Sequence, residues 1–336
     1  MKFSTGLPNC REGRQNPIGA VTPAWLRTVT TEAERLGYYS IWLNEFLQTE
    51  PGVALKYDQP PSYYDPLVTI GHLAALTKRI RFVTSTIVLP HHHPILLNRQ
   101  VATLDALSNG RLTLGIGLGG SADEFRSLRG DLGSPNRGQM MDEFVDALRA
   151  LWTQRRASFS GQYVKFENVE AHPQPVQDPL PIFMAGEVEG VFRRLARSGQ
   201  GWIDYGFHPE PLKEKVAQVR RYVREARGAD APMEITRQFY VSLGQTRSEA
   251  EANRAASVPA GNPVPPPPPP AHPMEPVLVG TPAELSARLR EYVDAGVTEI
   301  CAIFYSPDAA GAVRQMELFA REVMPAVGAV SATPSA

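Results

Sequence analysis

Apolar positions along this chain change period repeatedly, from alternation to helical spacing and back. Lys2 to Gly6 reads as a short strand, after which Trp25, Leu26, Val29, Ala33 and Leu36 recur on one helical face. Gly37 ends that helix, and Tyr39 to Leu43 is a second strand rich in β-formers. Asp65-Pro66 supplies an N-cap and a first-turn proline for a helix running to about Thr77. Arg81 to Val88 is a nearly unbroken third strand, as buried parallel strands tend to be. Pro94 opens a helix through Leu97, Val101, Leu104 and Leu107, closed by Asn109-Gly110, and Arg111 to Ile116 is the fourth strand. Met141, Phe144, Val145, Leu148, Leu151 and Trp152 mark the next helix. Further strands are expected at Pro181 to Met184, Gly201 to Tyr205, Ile235 to Leu243 and Glu299 to Phe304, with helices near 188–198, 211–226, 282–295 and 309–323. Eight strands alternating with helices imply parallel pairing through helical crossovers. Over 336 residues this favours a closed α/β (β/α)8 barrel of the TIM type over an open doubly wound sheet.

The rhythm predicts one domain over 1–330, a proline-rich insertion at 257–277 and a frayed tail at 331–336. Pro265 through Pro270 are consecutive, which forbids helix and central strand alike. The insertion lies between the seventh and eighth strands. A surface excursion, a lid over the active-site face and a ligand for a proline-binding partner are all open readings.

Composition acts mainly by exclusion. Hydrophobic residues make up 43% and charged residues 21%, enough for a large core. A formal net charge of −1 gives no attraction to nucleic acid or anionic membranes, and neither partner is expected. No apolar run approaches the roughly 20 residues that span a bilayer. The two cysteines, Cys10 and Cys301, form no CxxC pair, so a reduced, cytoplasmic protein is expected. His91, His92 and His93 are adjacent and cannot all face one centre, and no carboxylate at ligand spacing completes a set, so no metal is expected. Gly115, Gly117 and Gly119 alternate at the end of the fourth strand, where missing side chains allow a flat ring near the backbone or simply a tight exit from the strand.

Several blocks resemble one known family. They are Ala75 to Ser85, Leu89-Pro90 with His93-Pro94, Ala102 to Arg111, Leu114 to Gly119, and Phe166 to Val169 followed by Pro173 to Ile182. Gly199-Gln200-Gly201-Trp202 and Val279-Gly280-Thr281-Pro282 fit more loosely. In this order they resemble the bacterial luciferase-like monooxygenase superfamily. The resemblance implies a barrel that binds reduced FMN or the deazaflavin coenzyme F-420 at the C-terminal ends of its strands, where barrel enzymes place their sites.

By that resemblance Ser85 and Thr86 form a bulge with a non-prolyl cis peptide behind the ring; by residue type alone they belong to an ordinary buried strand. Gly117 and Gly119 border the cofactor. Gly186, Glu187 and Val188 stand where the family holds the cofactor phosphate on helix-terminal amides. Ala185 departs from the family's glycine there, and Glu187 and Glu189 bring carboxylates close. Pointing inward they oppose phosphate; pointing outward they favour the helix dipole. Glu45 occupies the position of a family histidine, either as a general acid or base or as a carboxylate paired with an arginine. Glu45, His91 and His92 are the candidate catalytic residues. Asp105 and Arg111 are expected to pair across a helix end, and Arg137 and Glu143 to cap a helix or form an ion pair.

The function first expected is oxygenation of a small organic substrate with reduced FMN and O2. A separate reductase would deliver the flavin, because no nicotinamide motif is visible. The alternative is hydride transfer with F-420, and a third possibility is a barrel that binds without catalysis. The resemblance also implies a homodimer.

Overall fold

The computed structural model describes residues 1–49, 59–204, 206–229, 231–257 and 277–328. Most of the expected proline-rich insertion, the 331–336 tail and Tyr205 lie outside the described residues. The strands are β1 (Lys2–Gly6), β2 (Ser40–Leu43), β3 (Arg81–Thr84), β4 (Ile87–Val88), β5 (Leu112–Gly117), β6 (Ala157–Ser160), β7 (Lys165–Val169), β8 (Ile182–Ala185), β9 (Gly201–Asp204), β10 (Glu234–Leu243), β11 (Leu278–Gly280) and β12 (Glu299–Phe304). The helices are α1 (Pro23–Arg35), α2 (Pro66–Ala74), α3 (Pro94–Leu107), α4 (Ala122–Arg129), α5 (Arg137–Thr153), α6 (Glu189–Ser198), α7 (Pro209–Arg227), α8 (Arg247–Ser257), α9 (Pro282–Asp294) and α10 (Ala309–Leu318).

Parallel pairing runs β1-β2-β3-β5-β8-β9-β10-β12 and returns to β1, closing an eight-stranded barrel within a layer of helices. Register closes where Lys2 stands against Glu299 and Phe3 against Ile300. Side chains alternate across each strand, so one set fills the barrel and the other meets the helices. Inside sit Trp42, Val83, Phe183, Ile203, Cys301 and Ile303. Outside, Trp202 packs edge-on against Phe192, and Phe239 against Tyr292.

The barrel floor is polar. The Ser4 and Ser40 hydroxyls and the Trp42 indole N–H all donate to Glu299, which is fully buried. Burial pushes the Glu299 carboxyl up despite those donors, because desolvation penalises the charged form.

Local chemistry explains the helix starts. Thr22, Asp65, Ser121, Asn136, Thr281 and Asp308 each accept an N-terminal amide, and Thr281 with Glu284 completes a capping box. The third strand stops at Thr84 and resumes as β4, split by a cis Ser85–Thr86 peptide, as the family resemblance implied and the residue types alone did not. The β6–β7 antiparallel hairpin and helix α8 have no counterpart in the expected alternation. Helix α10 ends at Leu318, widens into a π turn at Phe319–Val323 and resumes as a short α-helix over Met324–Gly328.

Two expected pairs do not form. Arg111 spends its donors on the carbonyls of Ala74, Ile80 and Ser108 and on Thr77 Oγ1. Asp105 instead accepts the amides of Val176 and Gln177 and the Gln177 side chain. Each satisfies backbone groups that would otherwise be buried without partners, and that demand outweighs a mutual ion pair. Glu143 likewise accepts three amides of the hairpin turn, at Gln162, Tyr163 and Val164, while Arg137 donates to the carbonyls of Leu118 and Gly119.

Candidate active site

The C-terminal strand ends converge on an open cavity of about 900 Å³, ample for a drug-sized ligand. Glu45, Ser85, Thr86, Gly117, Gly119, Gly186, Glu187 and Val188 all line it. His91 and His92 do not. The His92 Nε2 lies 2.8 Å from Glu45 Oε1, and the Val88 amide donates to Glu45 Oε2 at 2.7 Å. Glu45 is therefore a buried carboxylate with a fixed orientation at the lip of the cavity, and its partner is a histidine rather than an arginine. The His91 ring packs on Phe125 at 6.0 Å, and neither of its nitrogens finds a hydrogen-bond partner among the described residues. Burial, then the charges of His92, Arg137 and Arg129, push its imidazole down to about 4.

Backbone contacts around the cis peptide fix one wall. Ser85 N donates to Leu43 O, Asn44 Nδ2 donates to Ser85 O at 2.8 Å, and Gln238 reaches the Ser85 hydroxyl from across the barrel. The glycines of β5 answer to this wall before they answer to any ligand. A Cβ on Gly115 would lie 1.8 Å from Thr84 O, and one on Gly117 would lie 2.7 Å from Thr86 Oγ1. The missing side chains thus admit the bulged third strand. Gly120 differs: it lines the cavity, and a Cβ there would meet nothing within 4 Å, so its bareness leaves the cavity edge open.

On the opposite side, Gly186 turns at φ +129 with its carbonyl held by Trp202 Nε1 at 2.8 Å. Val188 then starts α6 without a side-chain cap, which leaves first-turn amides for an anion. Glu189 points outward, bound to Arg193 and Tyr222, so it favours the helix dipole and does not oppose an anion in the cavity. A phosphate-bearing flat cofactor fits the bare edge at Gly120, the shaped backbone at Ser85–Thr86 and the uncapped start of α6, while Glu187 lines the cavity beside that start and brings a carboxylate close to the anion position. Cys10 also lines the cavity, but burial pushes its thiol up to about 12, so it stays protonated and weakly nucleophilic.

Sequence reasoning missed the first strand's contribution. Asn9 ties Asn44 O to Tyr64 O, and Arg11 donates to Asn44 Oδ1 at 2.6 Å and to the Tyr240 hydroxyl at 3.3 Å. Glu124 accepts the Leu47 amide and secures the loop after β2. The available signal was position, since residues 9–11 follow a barrel strand directly. Tyr63, just beyond the part of the loop after β2 that lies outside the described residues, packs on Phe46. Among the described residues no group of three metal-ligating side chains occurs, and no helix is long and apolar enough to cross a membrane.

Comparison with known proteins follows the same outline. A family profile described as luciferase-like monooxygenase matches residues 1–299. An uncharacterised protein of Mycobacterium tuberculosis is 42% identical over 158 residues, which are 46% of this chain and 55% of that protein, so the match spans about half of the relative's length. The F-420-dependent glucose-6-phosphate dehydrogenase of Kineococcus radiotolerans is 26% identical over 304 residues, 85% of this chain and 88% of that protein. Among solved structures, the monooxygenase RslO1 of Streptomyces bottropensis superposes with a TM-score of 0.75 at 22% identity, covering 97% of this chain and 99% of that one.

Proposed function

The chain belongs to the luciferase-like monooxygenase family, and from that premise we propose that it is an oxidoreductase exchanging a hydride between F-420 and a small polar substrate. The observation that carries this reading is the charged mouth. Arg11, Arg14, Glu45, Asp123, Glu124 and Glu187 all border the cavity. Oxygen chemistry at a flavin depends on excluding water from the reacting centre, and Arg14, Asp123 and Glu187, which are not buried, keep water at this rim. Hydride transfer tolerates a wet, charged rim. The nearly full-length likeness to an F-420-dependent dehydrogenase supports the same choice.

In this reading the amides at Gly186, Glu187 and Val188 hold the cofactor phosphate, while Ser85, Thr86, Gly117 and Gly119 shape the wall behind its ring. The deazaflavin supplies the hydride chemistry. Glu45, at the cavity edge and oriented by the Val88 amide and His92, exchanges the accompanying proton. His92 keeps Glu45 in place from behind, and His91 serves packing.

A second reading uses reduced FMN, O2 and a separate reductase, and the apolar stretch of wall from Val88, Leu118, Ala185 and Val191 favours it. Titrating the protein with F-420, FMN and anaerobically reduced FMN separates the two. We expect F-420 to bind at least about tenfold more tightly, a difference near 1.4 kcal/mol. Tight binding of reduced FMN with oxygen consumption would replace the proposal with the second reading. Binding of none of them would leave a non-catalytic barrel.

A further inference from the structure

Arg11 is 4% exposed, borders the cavity, and has no carboxylate within ion-pair distance among the described residues. Its protein partners are neutral: Asn44 Oδ1 on one terminal nitrogen and the Tyr240 hydroxyl on the other, with the Tyr240 ring 5.5 Å from the guanidinium carbon. Its Nε is buried and finds no partner among the described residues. Carboxylates that could have neutralised it are engaged elsewhere, Glu45 by His92 and Val88, Glu124 by Leu47, and Asp123 by Arg126. Burying a guanidinium without a counter-charge costs several kcal/mol, and removing that cost takes an anion with hydrogen-bonding oxygens.

The position of Arg11 says which anion. Around the barrel, β8 lies diametrically across from β1, four strands away in either direction. The phosphate-type amides of Gly186 to Val188 follow β8, whereas Arg11 follows β1 and leans on Tyr240 of β10. A cofactor anchored at the β8 side leaves the Arg11 side for the other reactant. We infer that Arg11 is a specificity-determining residue that binds a carboxylate on the substrate, so the substrate class is small organic acids. This rests on reading the cavity as a cofactor-and-substrate site.

The test uses benzoate and its neutral counterpart benzamide as probes, with binding to the full chain measured calorimetrically and by saturation-transfer NMR. The same preparations are titrated with F-420. Charge-assisted hydrogen bonds contribute about 1.5–3 kcal/mol, so wild type should bind benzoate at least about tenfold more tightly than benzamide. Arg11→Gln should abolish that preference without changing F-420 affinity, and Arg11→Lys should restore part of it. The proposal is overturned if wild type does not prefer benzoate, if Arg11→Gln keeps the preference, or if Arg11→Gln weakens F-420 binding in parallel, which would assign the residue to the cofactor. If Arg11→Gln does not fold, Arg11→Met takes its place, and a preference kept by that variant, or absent from wild type, decides against the proposal. An Arg11-dependent benzoate preference in a protein that binds neither F-420 nor FMN would uphold this inference while removing the cofactor reading.

Discussion

Two buried glutamates divide the barrel between them. Glu299 sits on the floor, sealed by Trp42 and gripped by hydroxyls from β1 and β2. Glu45 is almost as deeply buried, yet it borders the open cavity and is held from behind by one amide and one histidine. The difference lies in what surrounds the carboxylate. On the floor every neighbour is protein, so the group can act only on stability. At the mouth the residue borders a cavity that admits a ligand, and the fixed orientation becomes useful for chemistry.

Neutralising each glutamate in turn puts this division under the heaviest load. Glu45→Gln should lower kcat/KM by about a hundredfold or more while leaving the melting temperature near that of wild type. Glu299→Gln should leave kcat/KM intact. Equal loss of activity in both variants would erase the distinction. Next in size is the glycine contrast along β5 and its exit loop. Gly115→Ala drives a methyl into the Thr84 carbonyl and should destabilise by about 1–3 kcal/mol in denaturant titration. Gly120→Ala should leave stability unchanged and weaken cofactor binding.

Two smaller effects depend on pH. With its folded carboxyl raised, Glu299 binds a proton in the native state at pH values where the unfolded chain has released it. Stability should therefore fall as pH rises from the ordinary carboxyl range through the raised value, by about 1.4 kcal/mol for each pH unit crossed, and Glu299→Gln should flatten that slope. His91 gives the opposite sign. Its imidazole is depressed to about 4, so between the ordinary value of 6.5 and about 4 the unfolded state binds more protons. Stability should fall on acidification through that window, and His91→Phe should remove the loss while keeping the contact with Phe125.

The alternation of elements was legible because each barrel unit repeats the same switch of hydrophobic period. The hairpin was not, since β6 and β7 are half exposed and lack a strong alternating face. Many of the most family-like residues turn out to serve the barrel's base: Arg111 gathers carbonyls there, and Asp105 anchors the 176–177 turn. Their identities stand out as short blocks, but their partners do not, since Arg111 reaches back to Ala74 and Asp105 forward to Val176 and Gln177. The mouth is assembled from residues more than two hundred positions apart, such as Arg11 with Tyr240, and no local pattern encodes that meeting. Glu45 was found through position, but its clamp by Val88 depends on the break after Thr84, which the β-branched run conceals and only the family resemblance marks.

Closure of β1 on β12 also has a biosynthetic consequence. The first strand emerges from the ribosome long before its second neighbour exists, because Lys2 pairs with Glu299. At roughly 5–20 residues per second the wait is about 15–60 s. During that interval one edge of β1 offers unpaired backbone groups to any passing strand, and the lysine at its start is a natural deterrent to mispairing. Translation speed and holdase occupancy should therefore affect the yield of this barrel alongside its final stability.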